Sequence, residues 1–505
     1  LKNCNSRKAY FGVGWYACAI GADKALIIDL GVGRANRKWA DREVDKVTEE
    51  VDAKWAVLET LEALYPWMRP FRSRPVRDYA FRLFEAPAPG LIPEVRSQAL
   101  EKLLHIIRKA AARWGLSADT ASEICRDLER RRVLQTGPHL LLLVDPEAYY
   151  THIFSMLGLA AHGCSTYVSY AVSTVSIVER SRKGPGWLAV DGRPTNVFGL
   201  SRSQMVGYNL LSGPGSYRFE MVPVEPDAQS DALTQLRDLL PNIEFQRPAH
   251  AVKAANQVLW PVLFGSRFAF LQIDDEDIAD LVAAHLSDPD SWLRASLLEE
   301  PALASNILAQ LDRWATGLWS GWLTRATDFF WFYHNGKRLP LRLVAGDLID
   351  PSTGMKVARF AASDIVARLA DRTLIPNFLT AMLVVSILPG VRVLGGSHQP
   401  VFYPLMRRVV HRALEVAGIA SDLRQALTTD DVSSAWGHRV IECDDDPIKR
   451  FLNNPIGGAD AVVERLGATQ LAEACGSLKS FVTDPSWVEL HRRLGQGMIA
   501  AADEH

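Results

Sequence analysis

Apolar residues recur at three- and four-residue spacing in several stretches of this chain, and each such stretch predicts an amphipathic helix. In Asp41 to Tyr65, positions Val44, Val47, Val51, Trp55, Leu58 and Leu61 share a face, and Pro66 stops the run. Val95 to Trp114 repeats the pattern, with Gly115 placed to close it. Ser117 is placed to cap a second helix, Ala118 to Arg132, along Ala121, Ile124, Cys125 and Leu128. Val133-Leu134, a Gly137-Pro138 turn and the apolar run Leu140 to Val144 then predict a β-hairpin. Two helices, a short turn and a hairpin match a winged helix, the expectation for residues 94–148.

Elsewhere the period changes. Small residues from Thr151 to Glu179 predict a long, closely packed helix. Strand-like pieces follow at Trp187 to Val190 and Tyr217 to Val224, set off by Lys183-Gly184-Pro185-Gly186 and Ser212-Gly213-Pro214-Gly215 turns. Ala269 to Ile273 predicts a short buried strand that runs into Asp274-Asp275-Glu276-Asp277, and residues 277–327 read as helical. Phe329 to Val344 is the best hairpin, because Asn335-Gly336 supplies the positive φ angles of a type I′ turn. Asp350 to Gly354 turns the chain again into Met355 to Phe360, completing a three-stranded meander. Phe378 to Leu388 is too short to cross a bilayer and predicts a buried core helix bounded by Pro376 and Pro389.

These elements predict an α/β protein, mixed α+β and helix-rich, with several domains, as 505 residues allow. The expected segments are an N-terminal α/β piece (1–66), an Arg- and Pro-rich linker (67–93), the winged-helix-like module (94–148), an α/β domain (149–327) and a β-meander with a helical C-terminal domain (328–505).

Composition acts mainly by exclusion. A formal net charge of -2 gives no global field for a polyanion, so any nucleic-acid site must be a local patch. The six cysteines, Cys4, Cys18, Cys125, Cys164, Cys443 and Cys475, include no CxxC pair, and such usage fits a reducing, cytoplasmic setting. The opening residues lack an apolar secretory core, and no membrane partner is expected.

The leading candidate for chemistry runs from Leu388 to Pro404. A core helix ends at Pro389, a short strand follows, and Gly395-Gly396 lets the backbone bend before a helix that Pro404 can begin. Main-chain N–H groups at such a bend favour an anion. His398, Gln399 and Tyr403 are the expected catalytic residues, and Gly395, Gly396, Ser397 and Arg407 the expected substrate contacts. Over a short stretch the Gln399-Pro400 loop resembles the Gln-Pro loop of the ligase that adds cysteine in bacillithiol synthesis. The likeness falls in a different part of the chain, and no residue role is carried over.

Five further groups compete. Asp274 and Asp275, after a buried strand, suit a hard cation such as Mg²⁺. Arg69, Arg72 and Arg74, interleaved with Trp67, Phe71 and Tyr79, suit phosphate or nucleic acid. His162 and Cys164 are a candidate imidazole–thiol pair. His334, Asp347 and Asp350 sit on the predicted turns, and Asp29 to Gly33 is a fragment of a nucleotide loop. The expected function is a transferase or ligase of small-molecule or peptide-modifying biosynthesis acting on an anionic, nucleotide-like substrate. The rival is a nucleic-acid- or peptide-binding protein that uses the winged helix and the arginine stretch.

Overall fold

Strands covered on both faces carry continuous buried runs rather than alternation, and four such strands form the centre of this protein. The computed structural model describes residues 52–87, 92–178, 182–212, 215–225, 230–316, 318–419, 422–430, 440–442, 446–449 and 458–499. All of them belong to one unit, Asp52–His505. Asp29 to Gly33, the first part of the Asp41 to Tyr65 helix, Cys4, Cys18 and Cys443 lie outside the described residues.

In chain order, β1 (Val133–Gln135) and β2 (Thr166–Tyr170) precede a small antiparallel sheet of β3 (Trp187–Val190), β4 (Arg193–Asn196) and β5 (Val222–Pro223). After β6 (Ala269–Ile273) come β7 (Phe330–His334), β8 (Lys337–Pro340), β9 (Arg342–Val344), β10 (Asp347–Ile349), β11 (Lys356–Arg359), β12 (Leu374–Pro376) and β13 (Arg392–Leu394). The central sheet is parallel, in the order β13-β1-β2-β6. The fold is therefore mixed α/β and helix-rich. One sheet draws strands from three of the segments expected to be separate, residues 94–148, 149–327 and 328–505.

The expected linker is folded. Pro66–Phe71 forms a 3-10 helix and α1 (Val76–Leu83) follows, with Tyr79, Ala80 and Leu83 wholly buried. Trp67 stacks on Tyr79 with ring centroids 5.8 Å apart, and Tyr79 in turn meets Phe154. Of the aromatic residues that marked the stretch as unusual, Tyr79 is core, and Trp67 and Phe71 pack half-buried against it.

Both expected helices of the winged helix are present, α2 (Glu94–Arg113) and α3 (Ala118–Arg131), and Ser117 caps the second by accepting from the Thr120 N–H at 3.1 Å. The wing is not. β1 enters the parallel sheet between β13 and β2, and Leu140 to Val144 stays irregular although all five residues are buried. Buried backbone needs partners wherever it runs. Here one distant side chain supplies them: Asn256 accepts from Leu143 N at 3.0 Å and donates to Leu141 O at 2.9 Å and to Gln272 Oε1 at 2.9 Å. Leu140 N donates to Val172 O at 3.0 Å.

The helix expected from Thr151 to Glu179 is also corrected. It is α4 (Pro146–Ala161), which stops before Gly163 at φ +68°, and Thr166–Tyr170 then joins the sheet as β2. β-Branched and aromatic residues in that stretch suit a strand. The Asn335-Gly336 turn has φ values of 49° and 71° and joins β7 to β8 as predicted. The meander divides after it: β7 pairs with both β8 and β12, whereas β9, β10 and β11 form a separate sheet. Phe378–Met382 is α-helical and continues as a π-helix over Leu383–Ile387, buried from Leu379 to Ile387. Among the described residues no helix is long and apolar enough to cross a membrane.

Two helices hold the β6 side: α5 (Pro248–Phe264), which carries Asn256, and α6 (Asp275–Ser287). Asn256→Leu would leave two buried backbone groups unpaired. It should cost about 3 kcal/mol of unfolding free energy, read by urea denaturation. His285, buried on α6 with its Nδ1 2.8 Å from Ser291 Oγ, is held neutral by burial and then by the charge of Lys102, which lower its pKa to about 3. The unfolded imidazole, near pH 6.5, takes up a proton before the folded one does. This residue's contribution is complete above about pH 6.5 and falls by about 2 kcal/mol by pH 5. His285→Gln should remove that part of the slope in urea titrations run from pH 7 to 5.

Candidate functional site

The strand order sets the position of the site. From β1 the chain steps outward to β2 and then β6, and it returns along β13 to the opposite side of β1. Parallel α/β sheets bind ligands beyond the carboxyl ends of the strands at such a reversal. Gly395, Gly396, Ser397 and His398 leave the carboxyl end of β13 there and lead into α7 (Gln399–Val416). α7 begins at Gln399 with Pro400 in its first turn, and Pro404 lies inside it rather than at its start. Its first turn carries no acidic residue of its own.

Gln399 is only 2% exposed, and its carboxamide lies against Gly395: a Cβ on that glycine would come within 2.5 Å of Oε1. Its Nε2 is buried and has no hydrogen-bond partner among the described residues. On the neighbouring strand, Leu394 O accepts from Gln135 Nε2 at 2.9 Å, Thr136 N at 2.6 Å and Thr136 Oγ1 at 3.1 Å. Ser155 Oγ donates to Gln135 Oε1 at 2.9 Å. Ser169, in register with Gln135 on β2, has a buried hydroxyl that is also without a partner. Donors outnumber acceptors at this end of the sheet, and that surplus suits a ligand rich in oxygen acceptors. The sequence reading missed Gln135, Thr136, Ser155 and Ser169. The available signal was the polar Gln135-Thr136 step closing an apolar strand, which was read as the start of a wing.

His398 occupies the N-cap position of α7 and its imidazole is half-exposed. Nε2 is hydrogen-bonded to Asp484 Oδ2, and the Trp322 ring lies 5.2 Å away, centroid to centroid. Ser397 O accepts from Trp487 Nε1 at 3.2 Å.

Tyr403 and Arg407 do not face the bend. Tyr403 is buried with its hydroxyl on Ser386 Oγ, and Arg407 is buried with Nη2 2.6 Å from Asp430 Oδ2. Arg96 pairs with both oxygens of the same Asp430, at 2.7 and 2.5 Å. One helical turn separates Tyr403 from Arg407, so both fall on the inner face of α7. Their expected catalytic and substrate-binding roles are replaced by packing.

The acidic run is likewise occupied. Asp274 accepts from Lys253 Nζ at 2.7 Å, and Asp275 accepts from Tyr170 Oη at 2.5 Å, Ser173 N at 2.8 Å and Thr174 N at 2.6 Å. Glu276 takes Arg247 and His250, and Asp277 takes Arg113 at 3.0 Å and Asp274 N at 3.0 Å. Burial, then the charge of Asp274, pushes Asp277 up to about 6. Burial would raise Glu276 too, but its bond to His250 and the charges of His250, Lys253 and Arg247 bring it down to about 2. Among the described residues no group of three or more His, Cys, Asp or Glu side chains is arranged to hold a metal ion. Asp274 Oδ1 and both oxygens of Asp275 are thus engaged in a buried clamp rather than free for the expected Mg²⁺, and Asp274 Oδ2 is buried without a hydrogen-bond partner.

Arg72 is 2.6 Å from Glu62, Arg69 is 3.5 Å from it, and exposed Arg74 lies over the Phe71 ring at 5.6 Å. The adjoining aromatic faces pack on one another, which removes the base-stacking platform. Cys164 is buried, and burial followed by the Asp127 charge holds its thiol above the usual range, while His162 Nε2 faces Phe81 O at 2.8 Å. No imidazole–thiolate pair forms. Asp350 binds its own turn through Ser352 N at 2.9 Å, and Asp347 pairs with Lys356 at 2.9 Å. A cavity of about 20 Å³, room for roughly one water, is lined by Ile124, Asp127, Leu128, Val133, Gln135 and Thr166, and none of Gly395 to Gln399 lines it.

Gly395→Ala should cost about 1–2 kcal/mol by driving a methyl into the Gln399 carboxamide. Most of that cost should vanish in the Gln399→Ala background, so a double-mutant cycle by urea denaturation should return a coupling of about 1 kcal/mol. No protein-family model matches the chain, and no curated protein matches it in sequence.

Proposed function

We propose that the protein is an enzyme of transferase or ligase type, in small-molecule or peptide-modifying biosynthesis, that binds the anionic group of its substrate at the bend between β13 and α7. The observation that carries this reading is the buried Gln399 carboxamide, packed on Gly395 with Nε2 unpartnered at the reversal of the parallel sheet. A buried donor without a partner costs about 1–3 kcal/mol, and a substrate oxygen placed there would recover it. The start of α7, with no acidic residue in its own first turn, adds attraction for negative charge through its main-chain N–H groups. His398, next along the bend, is the group suited to moving a proton to or from the reacting atom. The rival reading, recognition of nucleic acid or peptide through a winged helix and an arginine stretch, loses both of its supports. The expected wing strand belongs to the central sheet, and Tyr79 of the linker is core with Trp67 and Phe71 packed against it.

Thermal unfolding of the full chain against inorganic phosphate, pyrophosphate, ATP and citrate tests this function. At about a hundred times its Kd a ligand adds about 2.7 kcal/mol, enough to raise Tm by several degrees. At least one of these anions is expected to do so. Gln399→Leu should raise the stability of the free protein by about 1 kcal/mol, since it removes an unpaired buried donor, and should abolish the ligand shift. His398→Ala should keep the shift. An undiminished shift in Gln399→Leu would move the anion site elsewhere.

A further inference from the structure

We infer that Asp484, 86 residues downstream, is the positioning residue of His398: its carboxylate fixes the imidazole as the Nε2–H tautomer and leaves Nδ1 as the nitrogen that exchanges protons with substrate. The inference rests on the proposed role of the bend and adds a residue from a distant helix to it. Asp484 is the N-cap of α8 (Pro485–Gly495), and its two oxygens are divided between two tasks. Oδ1 accepts from Ser486 N at 2.9 Å, and Oδ2 meets His398 Nε2. Burial would raise this carboxyl, but the bond to His398 and the Ser486 N–H hold it below the usual carboxylate range. It is ionised and can only accept, so Nε2 must carry the hydrogen. A neutral imidazole has one N–H, and fixing it on Nε2 leaves the lone pair on Nδ1. Nδ1 has no partner among the described residues.

The surroundings hold this geometry. Trp322 lies against the imidazole, and Trp487 packs edge-on to Trp322 at 5.1 Å while donating to Ser397 O, one residue before His398. The carboxylate and the Trp487 indole both come from the start of α8, and the indole N–H joins Ser397 O to it. When Nδ1 takes a proton from a substrate O–H or N–H, the imidazolium keeps its Nε2–H on Asp484, whose negative charge faces the new positive charge. The same proton then returns from Nδ1 to the leaving group, and the pair ends as it began.

The test uses the full chain with ¹⁵N-labelled histidine, the His398 signals being assigned by their loss in His398→Asn. Asp484→Asn and Asp484→Ser both keep a good N-cap residue, so α8 should still start correctly. Circular dichroism and thermal unfolding check this. Wild type is expected to show His398 as the Nε2–H tautomer at pH 8, and both variants are expected to lose that preference. Diethyl pyrocarbonate, which reacts with an imidazole lone pair, should modify His398 at a changed rate in the variants, where Nε2 is no longer held by the carboxylate, as mapped by peptide mass. Unchanged tautomer and unchanged modification rate in two folded variants would overturn the assignment. No substrate is needed, so failure here is separable from failure of the anion screen. If the tautomer depends on Asp484 and no anion binds, the positioning stands and the proposed function falls.

Discussion

The pairing of β1 with β13 is the constraint on which the rest of the structure depends. It brings Val133–Gln135 beside Arg392–Leu394, two stretches far apart in the chain, and makes Leu394 O the acceptor for three donors. Without it the sheet would have no reversal of strand order, and the diglycine bend would lead nowhere. With it, the bend, the end of β1 and the start of α7 meet at one edge. The donor surplus there is a local product of this pairing: one carbonyl is shared three ways while Gln399 Nε2 and the Ser169 hydroxyl are left unpaired.

At the far side of the same edge the chemistry is closed. Four consecutive acidic residues are buried, and each has its own cation or backbone donors. Removing one partner would leave a buried charge unpaired, which is far more costly than the net worth of the pair. Asp275 ties the end of β6 to the backbone after β2, and Lys253 ties α5 to the start of α6. The clamp thus ties up most of the polar groups on one half of the carboxyl edge, whereas the other half keeps Gln399 Nε2 and the Ser169 hydroxyl without partners.

Much of this was legible in the sequence where the cause is local. The Asn335-Gly336 turn, the Ser117 cap and the strand Ala269–Ile273 depend on neighbouring residues and form as their chemistry predicts. The strand, bend and helix from Arg392 to Val416 were likewise readable, and so was His398 as the polar group at their junction. What failed was long-range. Leu140 to Val144 looks like a strand, but Asn256 satisfies its backbone from another helix. Tyr403 and Arg407 look like site residues until the inner face of α7 is covered by Ser386 and Asp430. Asp274 and Asp275 look like cation ligands until Lys253 takes Asp274 Oδ1 and Tyr170 and two main-chain donors take both oxygens of Asp275, leaving Asp274 Oδ2 buried without a partner. In each case the decisive partner lies far away in the chain, where spacing carries no information.

The threefold acceptor at Leu394 also has a mechanical meaning. A slip of β13 by one residue would withdraw that carbonyl from Gln135 and Thr136 together and turn every β13 side chain to the opposite face of the sheet. Intermediate positions gain nothing, so the strand sits in a detent: it is seated or it is out. Any motion that opens the bend must therefore hinge beyond Leu394, within Gly395 and Gly396, and cannot be shared with the sheet.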